Sequence, residues 1–322
     1  MLFRSYRAQA TPENTRDLSL SWDKLGDIAL ARSRLDDAEQ AYSEGKKLRE
    51  QLYRVQATPE NTRDLSVSWE RLGDIAHARN RLDEAEQAYS EGKKLREQLY
   101  RAQATPENTR DLSVSWERLG DIARARSRLD EAEQAYSEGK KLREQLYRAQ
   151  ATPENTRDLS VSWAKLGDIA SARSRLDEAE AAYSEGKQLA EQLYRAQATP
   201  ENTRDLSVSW ERLGDIARAR SRLDDAEQAY RAAVELWRKL QHDFGENQDS
   251  VSGEAVVLER LASVLNAPTQ RQDKIEVLSR AASLWLRLMT AFPGDTEFGE
   301  SEARVRARLE TMRAATSHAA DS

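Results

Sequence analysis

Apolar residues recur along this chain at helical spacing, not at strand spacing. Leu65, Trp69, Leu72, Gly73 and Ala76 form one stripe, and Val67 with Ile75 adds a second apolar edge. A stripe with two edges predicts a first helix covered on two sides. Thr58-Pro59-Glu60-Asn61 marks its start with an N-cap hydroxyl, a proline pre-set for the first turn and an early carboxylate at the positive end of the helix dipole. A second helix follows Arg79-Asn80-Arg81-Leu82, with Ala85, Tyr89, Gly92, Leu95 and Leu99 as its buried stripe. Asp83 is expected to cap it, with Glu86 completing a capping-box-like pair. Each helix is expected to run about 18 to 22 residues, longer than the globular average.

The two-helix pattern is copied. Trp22, Trp69, Trp116, Trp163 and Trp210 stand 47 residues apart, and Pro12, Pro59, Pro106, Pro153 and Pro200 keep the same step. A fixed period of this size means a repeat architecture. The copy from Pro59 to Thr105 differs from that of Pro106 to Thr152 only at His77/Arg124 and Asn80/Ser127, which points to recent duplication. Past Tyr230 the pattern decays while helical spacing persists. The resulting division is a stub over 1–11, five near-identical repeats over 12–246, a degenerate sixth over 247–292, a capping helix over 293–313 with an arginine-rich outer face, and a disordered tail over 314–322. Tyr6-Arg-Ala-Gln-Ala matches the end of a second helix, so residues 1–10 are either a minimal cap or the cut end of a longer array.

Trp69-x-x-Leu72-Gly73-x-x-Ala76 followed by Ala85-x-x-x-Tyr89, present five times, resembles the tetratricopeptide repeat signature. It departs from that signature in three ways. Ala76 stands where the family usually has Tyr, Gly92 where Ala is usual, and the repeat is a long variant of 47 residues where the family has about 34. The extra residues lengthen the helices. HEAT-type repeats, with periods of about 40 to 47, are the competing fold. The resemblance implies an all-α, right-handed α-solenoid of stacked antiparallel helix pairs. In it Gly73 lets the second helix approach, and Trp69 wedges between neighbouring repeats.

Composition agrees with solvent-rich helices. Charged residues make up 33% of the 322, against 39% hydrophobic. The 56 acidic and 50 basic residues interleave to a net charge of −6, and no basic stripe of the kind nucleic-acid binders carry is present. The absence of Cys excludes disulfides, thiolate metal sites and a cysteine nucleophile, and suits a cytoplasmic protein. The first residues lack a signal-peptide apolar run, and no stretch approaches the roughly 18 apolar residues of a membrane span. Neither nucleic acid nor membrane is therefore expected as a partner.

Chemistry finds little to work with. His77, His242 and His318 lie too far apart in sequence and setting to share a metal or partner a nucleophile, and no Gly-rich phosphate loop exists. Carboxylate pairs such as Asp83/Glu84 read as helix caps before they read as catalysts. Lys93-Lys94 and the run Arg124, Arg126, Arg128 are flanked by acids and read as a solvated helix face. No enzyme activity, cofactor or metal is expected.

What remains is a surface for another protein or peptide. In tetratricopeptide arrays the first helices line a concave groove. Counting from each Trp, the positions one, five and eight residues on share a helix face. They read Asp23, Asp27, Leu30; Glu70, Asp74, His77; Glu117, Asp121, Arg124; Ala164, Asp168, Ser171; and Glu211, Asp215, Arg218. By resemblance this face is the groove, and its acidity favours a partner with Lys or Arg side chains. The eighth position varies among otherwise matched repeats, either as a tuned contact or as neutral drift on an exposed face. The invariant Asp at the fifth position is either a ligand contact or a structural partner for an Arg of the adjacent turn. Two alternatives accompany the scaffold reading. The array could be the sensor or regulatory arm of a larger signalling protein, or it could self-associate through an uncapped first repeat expected to expose the apolar edge residues Leu18 and Leu20.

Overall fold

The structure is a computed structural model that describes residues 11–320, with side chains described for 11–313. The stub expected over residues 1–10 and the last two residues of the expected tail lie outside the described residues. Among the described residues there are thirteen α-helices and no strand. Five near-identical pairs come first: α1 (Pro12–Ala31) with α2 (Leu35–Val55), α3 (Pro59–Ala78) with α4 (Leu82–Ala102), α5 (Pro106–Ala125) with α6 (Leu129–Ala149), α7 (Pro153–Ala172) with α8 (Leu176–Ala196), and α9 (Pro200–Ala219) with α10 (Leu223–Phe244). Then come α11 (Gln248–Val264), a 3-10 turn at Pro268–Gln270, α12 (Arg271–Ala291) and α13 (Thr296–Ala320). The fold is all-α, of the α-solenoid class built from stacked antiparallel helix pairs.

First helices start as the sequence dictates. The Thr58 hydroxyl accepts from the Asn61 N–H at 3.1 Å, with Pro59 in the first turn, and Thr11, Thr105, Thr152 and Thr199 repeat the arrangement. Each first helix ends in a Schellman motif. Asn80 has φ 56°, its N–H donates to His77 O, and the Arg81 N–H donates to Ala76 O. Ser33, Ser127, Ser174 and Ser221 take the same left-handed position, which usually falls to Gly. The expected Asp83/Glu86 capping box is not formed. The N-cap of α4 is Arg81, without a side-chain cap bond, and Glu86 accepts instead from Arg128 of the following repeat at 2.8 Å.

Two glycines set the helix pair. A Cβ on Gly73 would lie 2.5 Å from the Tyr89 ring, and one on Gly92 would lie 3.3 Å from Ser66 O. Bare backbone at both points lets the helices close on each other. The helix-propensity cost of about 1 kcal/mol per glycine is offset by that contact.

The chain forms two compact units, Met1–Asn155 and Thr156–Ser322. In the first, repeats are sealed by small clusters: Ala29, Ala38, Tyr42 and Ile75 form one, and Ala76, Ala85, Tyr89 and Ile122 the next. Ile75 and Ile122 thus each finish the core of the repeat before. The second unit has a larger continuous core that gathers Tyr230, Trp237, Leu258, Leu278, Leu284, Trp285 and Val305 from α10 to α13. Here α11 is capped by Asn247 and Ser250 in a true capping box. The backbone of α13 stays helical to Ala320, past Arg313, where the sequence reading ends the helix.

Candidate partner-binding face

The residues one place after each Trp point inward. Asp23 is buried and meets Arg49 of α2 at 2.5 Å, and Arg49 also donates to Ser68 of the next repeat at 2.8 Å. Glu70 pairs with Arg96 and Glu117 with Arg143 in the same way. Glu211 is buried and accepts from the Trp237 indole N–H at 2.9 Å, with Arg260 at 3.5 Å. Burial raises the pKa of Glu211 above the usual carboxylate range, against the opposing pull of the Trp237 bond and Arg260. The partner always lies 26 residues further along. Where Ala164 replaces the acid, the 26-residue partner is Ala190.

The fifth-position aspartates are held from within their own repeat. Tyr42, Tyr89, Tyr136 and Tyr230 each donate a hydroxyl hydrogen bond of 2.7 Å to Asp27, Asp74, Asp121 and Asp215, and Tyr183 donates one of 2.8 Å to Asp168. These are the tyrosines that pack against the Leu-Gly glycines, so one side chain sets both helix spacing and carboxylate position. An arginine of the following repeat approaches the same carboxylate. Arg71 lies 3.3 Å from Asp27, Arg118 3.7 Å from Asp74, Arg212 3.3 Å from Asp168 and Arg260 2.7 Å from Asp215. Burial, then the hydrogen bond to the aspartate, pushes Tyr42 and Tyr89 above the ordinary phenol range, so neither ionises near neutrality. Burial raises Asp74 despite Tyr89 and Arg118. The aspartates are not fully covered: the Asp27 side chain remains 55% exposed and that of Asp74 43%.

The eighth positions face solvent. Leu30, His77, Arg124 and Arg218 are exposed and Ser171 is half-buried. Arg218 also reaches the Tyr230 hydroxyl, at 3.3 Å. The fourteen candidate residues therefore fall into three layers. The carboxylates at the first position are internal, the aspartates at the fifth are tethered and part-exposed, and the eighth residues stand in water.

Sequence reasoning missed the tethers. The Tyr–Asp bond spans 15 residues and the Arg–acid bond 26, both across a turn, where helical-face counting has no reach. One signal was available in the joint change of positions 164 and 190 to Ala. The five tryptophans spaced 47 residues apart are half-buried, and Trp69, Trp116 and Trp210 each lie under a lysine of the preceding repeat, with Lys46, Lys93 and Lys187 3.7 Å from the ring centroids. Among the described residues no cluster of His, Asp or Glu is placed to hold a metal, and no helix is long and apolar enough to cross a membrane.

No family model and no curated protein matches the sequence. Solved structures do match in fold. BtubC from P. vanneervenii superposes with a TM-score of 0.60 at 15% identity, over 81% of this chain and 93% of that one. The S. pombe nuclear import adaptor Nro1 gives 0.55 at 10% identity, over 91% and 99%. PH0952 from Pyrococcus horikoshii, a signal transduction ATPase with a tetratricopeptide repeat sensor, gives 0.56 at 11% identity, over 93% of this chain and 43% of that one. The fold is tetratricopeptide-like.

Proposed function

We propose that the chain is a protein-interaction scaffold without chemistry of its own, a long-repeat member of the tetratricopeptide class, and that a peptide or partner segment lies along the faces of its first helices. The observation that carries this reading is the aspartate set. Asp27, Asp74 and Asp121 recur at one repeat position, each oriented by a tyrosine, with Asp27 and Asp74 offering a part-exposed carboxylate edge beside the exposed, variable residues Leu30, His77 and Arg124. Rigid, pre-oriented carboxylates lose little entropy on binding a cation, so basic side chains are the fitting partner chemistry. The variable residues would then discriminate among partners. The adaptor role of Nro1 is in line with this reading. The sensor arm of a larger signalling protein is a second reading, supported by the likeness to PH0952. Association through the first repeat is a third: of the two edge residues expected to be exposed, Leu18 is buried in its own repeat and Leu20 is exposed, and the 51% exposure of Ile28 supports the reading.

A library of Lys/Arg-bearing peptides and their Gln-substituted counterparts, screened by fluorescence anisotropy, tests the main reading. Cationic peptides should bind the wild-type chain and lose at least roughly tenfold in affinity against an Asp27→Asn/Asp74→Asn/Asp121→Asn variant. Asn keeps an acceptor for each tyrosine, so circular dichroism should be unchanged. Equal binding by wild type and variant sinks the proposal.

A further inference from the structure

One face of the first repeat is open where its counterparts are sealed. Ile75 is 1% exposed, packed with Ala29, Ala38 and Tyr42 of the preceding repeat. Ile122 is sealed in the same way by Ala85 and Tyr89, and Ile216 by Ala179 and Tyr183. Ile28, at the same repeat position, is 51% exposed and Leu25 46%. With Trp22, Ala29 and Ala41 they line an open cavity of about 320 Å3.

The sealed counterparts show what such a face accepts. At each one a pair of arginines meets the acidic start of a second helix. Arg79 and Arg81 bind Asp36 and Glu39, Arg126 and Arg128 bind Asp83 and Glu86, and Arg220 and Arg222 bind Asp177 and Glu180. Arg32 and Arg34 hold these places in the first repeat and line the open cavity. Arg34 pairs with Asp37 of its own helix at 2.5 Å. Arg81 makes the same local pair, with Glu84, and binds the preceding repeat as well.

We infer that this face docks an acidic helix reading Leu-Asp-(Asp/Glu)-Ala-Glu-x-x-Tyr, the start of a second helix of this same repeat, carried by another chain whose last repeat is uncovered. The inference rests on the reading that the first repeat associates. The partner's Leu, Ala and Tyr would cover Ile28 and Leu25, as Leu35, Ala38 and Tyr42 cover Ile75. Its acids would meet Arg32 and Arg34, giving apolar and charge complementarity in one register. A second intact copy fits less well. Its helix starts at Leu35, Leu82 and Leu176 are already covered by Ile75, Ile122 and Ile216. At the start with the part-exposed Leu223, Ala226 and Tyr230 are buried in the C-terminal core, and two open faces brought together would oppose arginine to arginine.

The test uses the full chain and a fluorescent, helix-stapled peptide of residues 81–103 as the probe. The peptide should bind the wild-type chain, and Ile28→Glu, at an exposed site that leaves the fold intact, should weaken binding by roughly tenfold or more. A peptide carrying Asp83→Lys and Glu86→Lys should lose binding to wild type and regain it with an Arg32→Glu/Arg34→Glu chain. No binding to wild type, or binding indifferent to both changes, overturns the inference. Light scattering of the chain alone separates the two failures. Ile28-dependent dimers that the peptide does not dissociate would keep the associating face and reject this occupant, whereas a monomer that ignores the peptide would reject both.

Discussion

The first and fourth repeats solve one buried position in opposite ways. In the first, Asp23 and Arg49 form an ion pair whose side chains are 8% and 4% exposed. In the fourth, the same two places are Ala164 and Ala190, and Ala190 is 1% exposed. The fifth repeat keeps the acid and replaces the base with a tryptophan that donates to it, Trp237 to Glu211, and Trp285 does the same for Glu259 at 2.9 Å. No acid at this position is left without a donor 26 residues on. A buried ion pair gains little over a well-packed apolar substitute, while an orphaned buried charge costs several kcal/mol. Duplicated sequences are therefore free to lose both partners, or to exchange the base for another donor, but not to strand the acid. In the first repeat the position ties α1 to α2 through the buried Asp23–Arg49 pair.

Arg49→Ala breaks this rule and should have the largest effect. It leaves Asp23 buried with only Arg71 at 3.5 Å and removes the donor to Ser68, so a loss of about 3 to 5 kcal/mol is expected in denaturant unfolding followed by tryptophan fluorescence. Asp23→Ala/Arg49→Ala, which copies the fourth repeat, should cost less than the single change despite removing more atoms. The coupling from the double-mutant cycle should reach about 2 kcal/mol. A double variant as unstable as Arg49→Ala would show that the pair itself stabilises the repeat, and the comparison with Ala164 and Ala190 would lose its meaning.

The same contrast explains how much of the molecule could be read from its letters. Helix pairs, their start sites and the close-packed glycines were legible because they rest on local signals: the Thr-Pro cap, 3.6-residue spacing and a Leu-Gly step facing Tyr. The Schellman ends were not, since Ser33 and Asn80 take a left-handed position without the glycine that usually announces it. The second-helix cap was misjudged at Asp83 and Glu86 because their partners, Arg126 and Arg128, lie more than 40 residues on. Among the candidate site residues, face counting found the positions but not the depth. Whether an acid at such a position is buried, tethered or exposed depends on Arg49, Tyr42 and Arg71, which come from the other helix and from the following repeat.

Glu254 of α11 carries the comparison into the C-terminal core, where a buried charge is retained in full. It is 0% exposed and accepts from Arg238 at 3.0 Å, from Arg280 at 3.2 Å and from Gln241 at 3.1 Å. Burial alone raises its pKa. The Arg280 and Arg238 hydrogen bonds outweigh it and hold the carboxyl below its ordinary value. A folded-state pKa below the unfolded one means that the contribution is present in full above the ordinary value of about 4.3 and is lost as pH falls through the folded pKa. One carboxyl can impose a slope of at most about 1.4 kcal/mol per pH unit, over a window that begins near pH 5 and extends downward, so this is the smallest of the three effects. Glu254→Gln should show a constant stability deficit at neutral pH that narrows with acid, read as the difference between wild-type and variant unfolding curves from pH 7 to pH 3. A deficit that stays constant to pH 3 would mean the two arginines do not hold Glu254 as an ion.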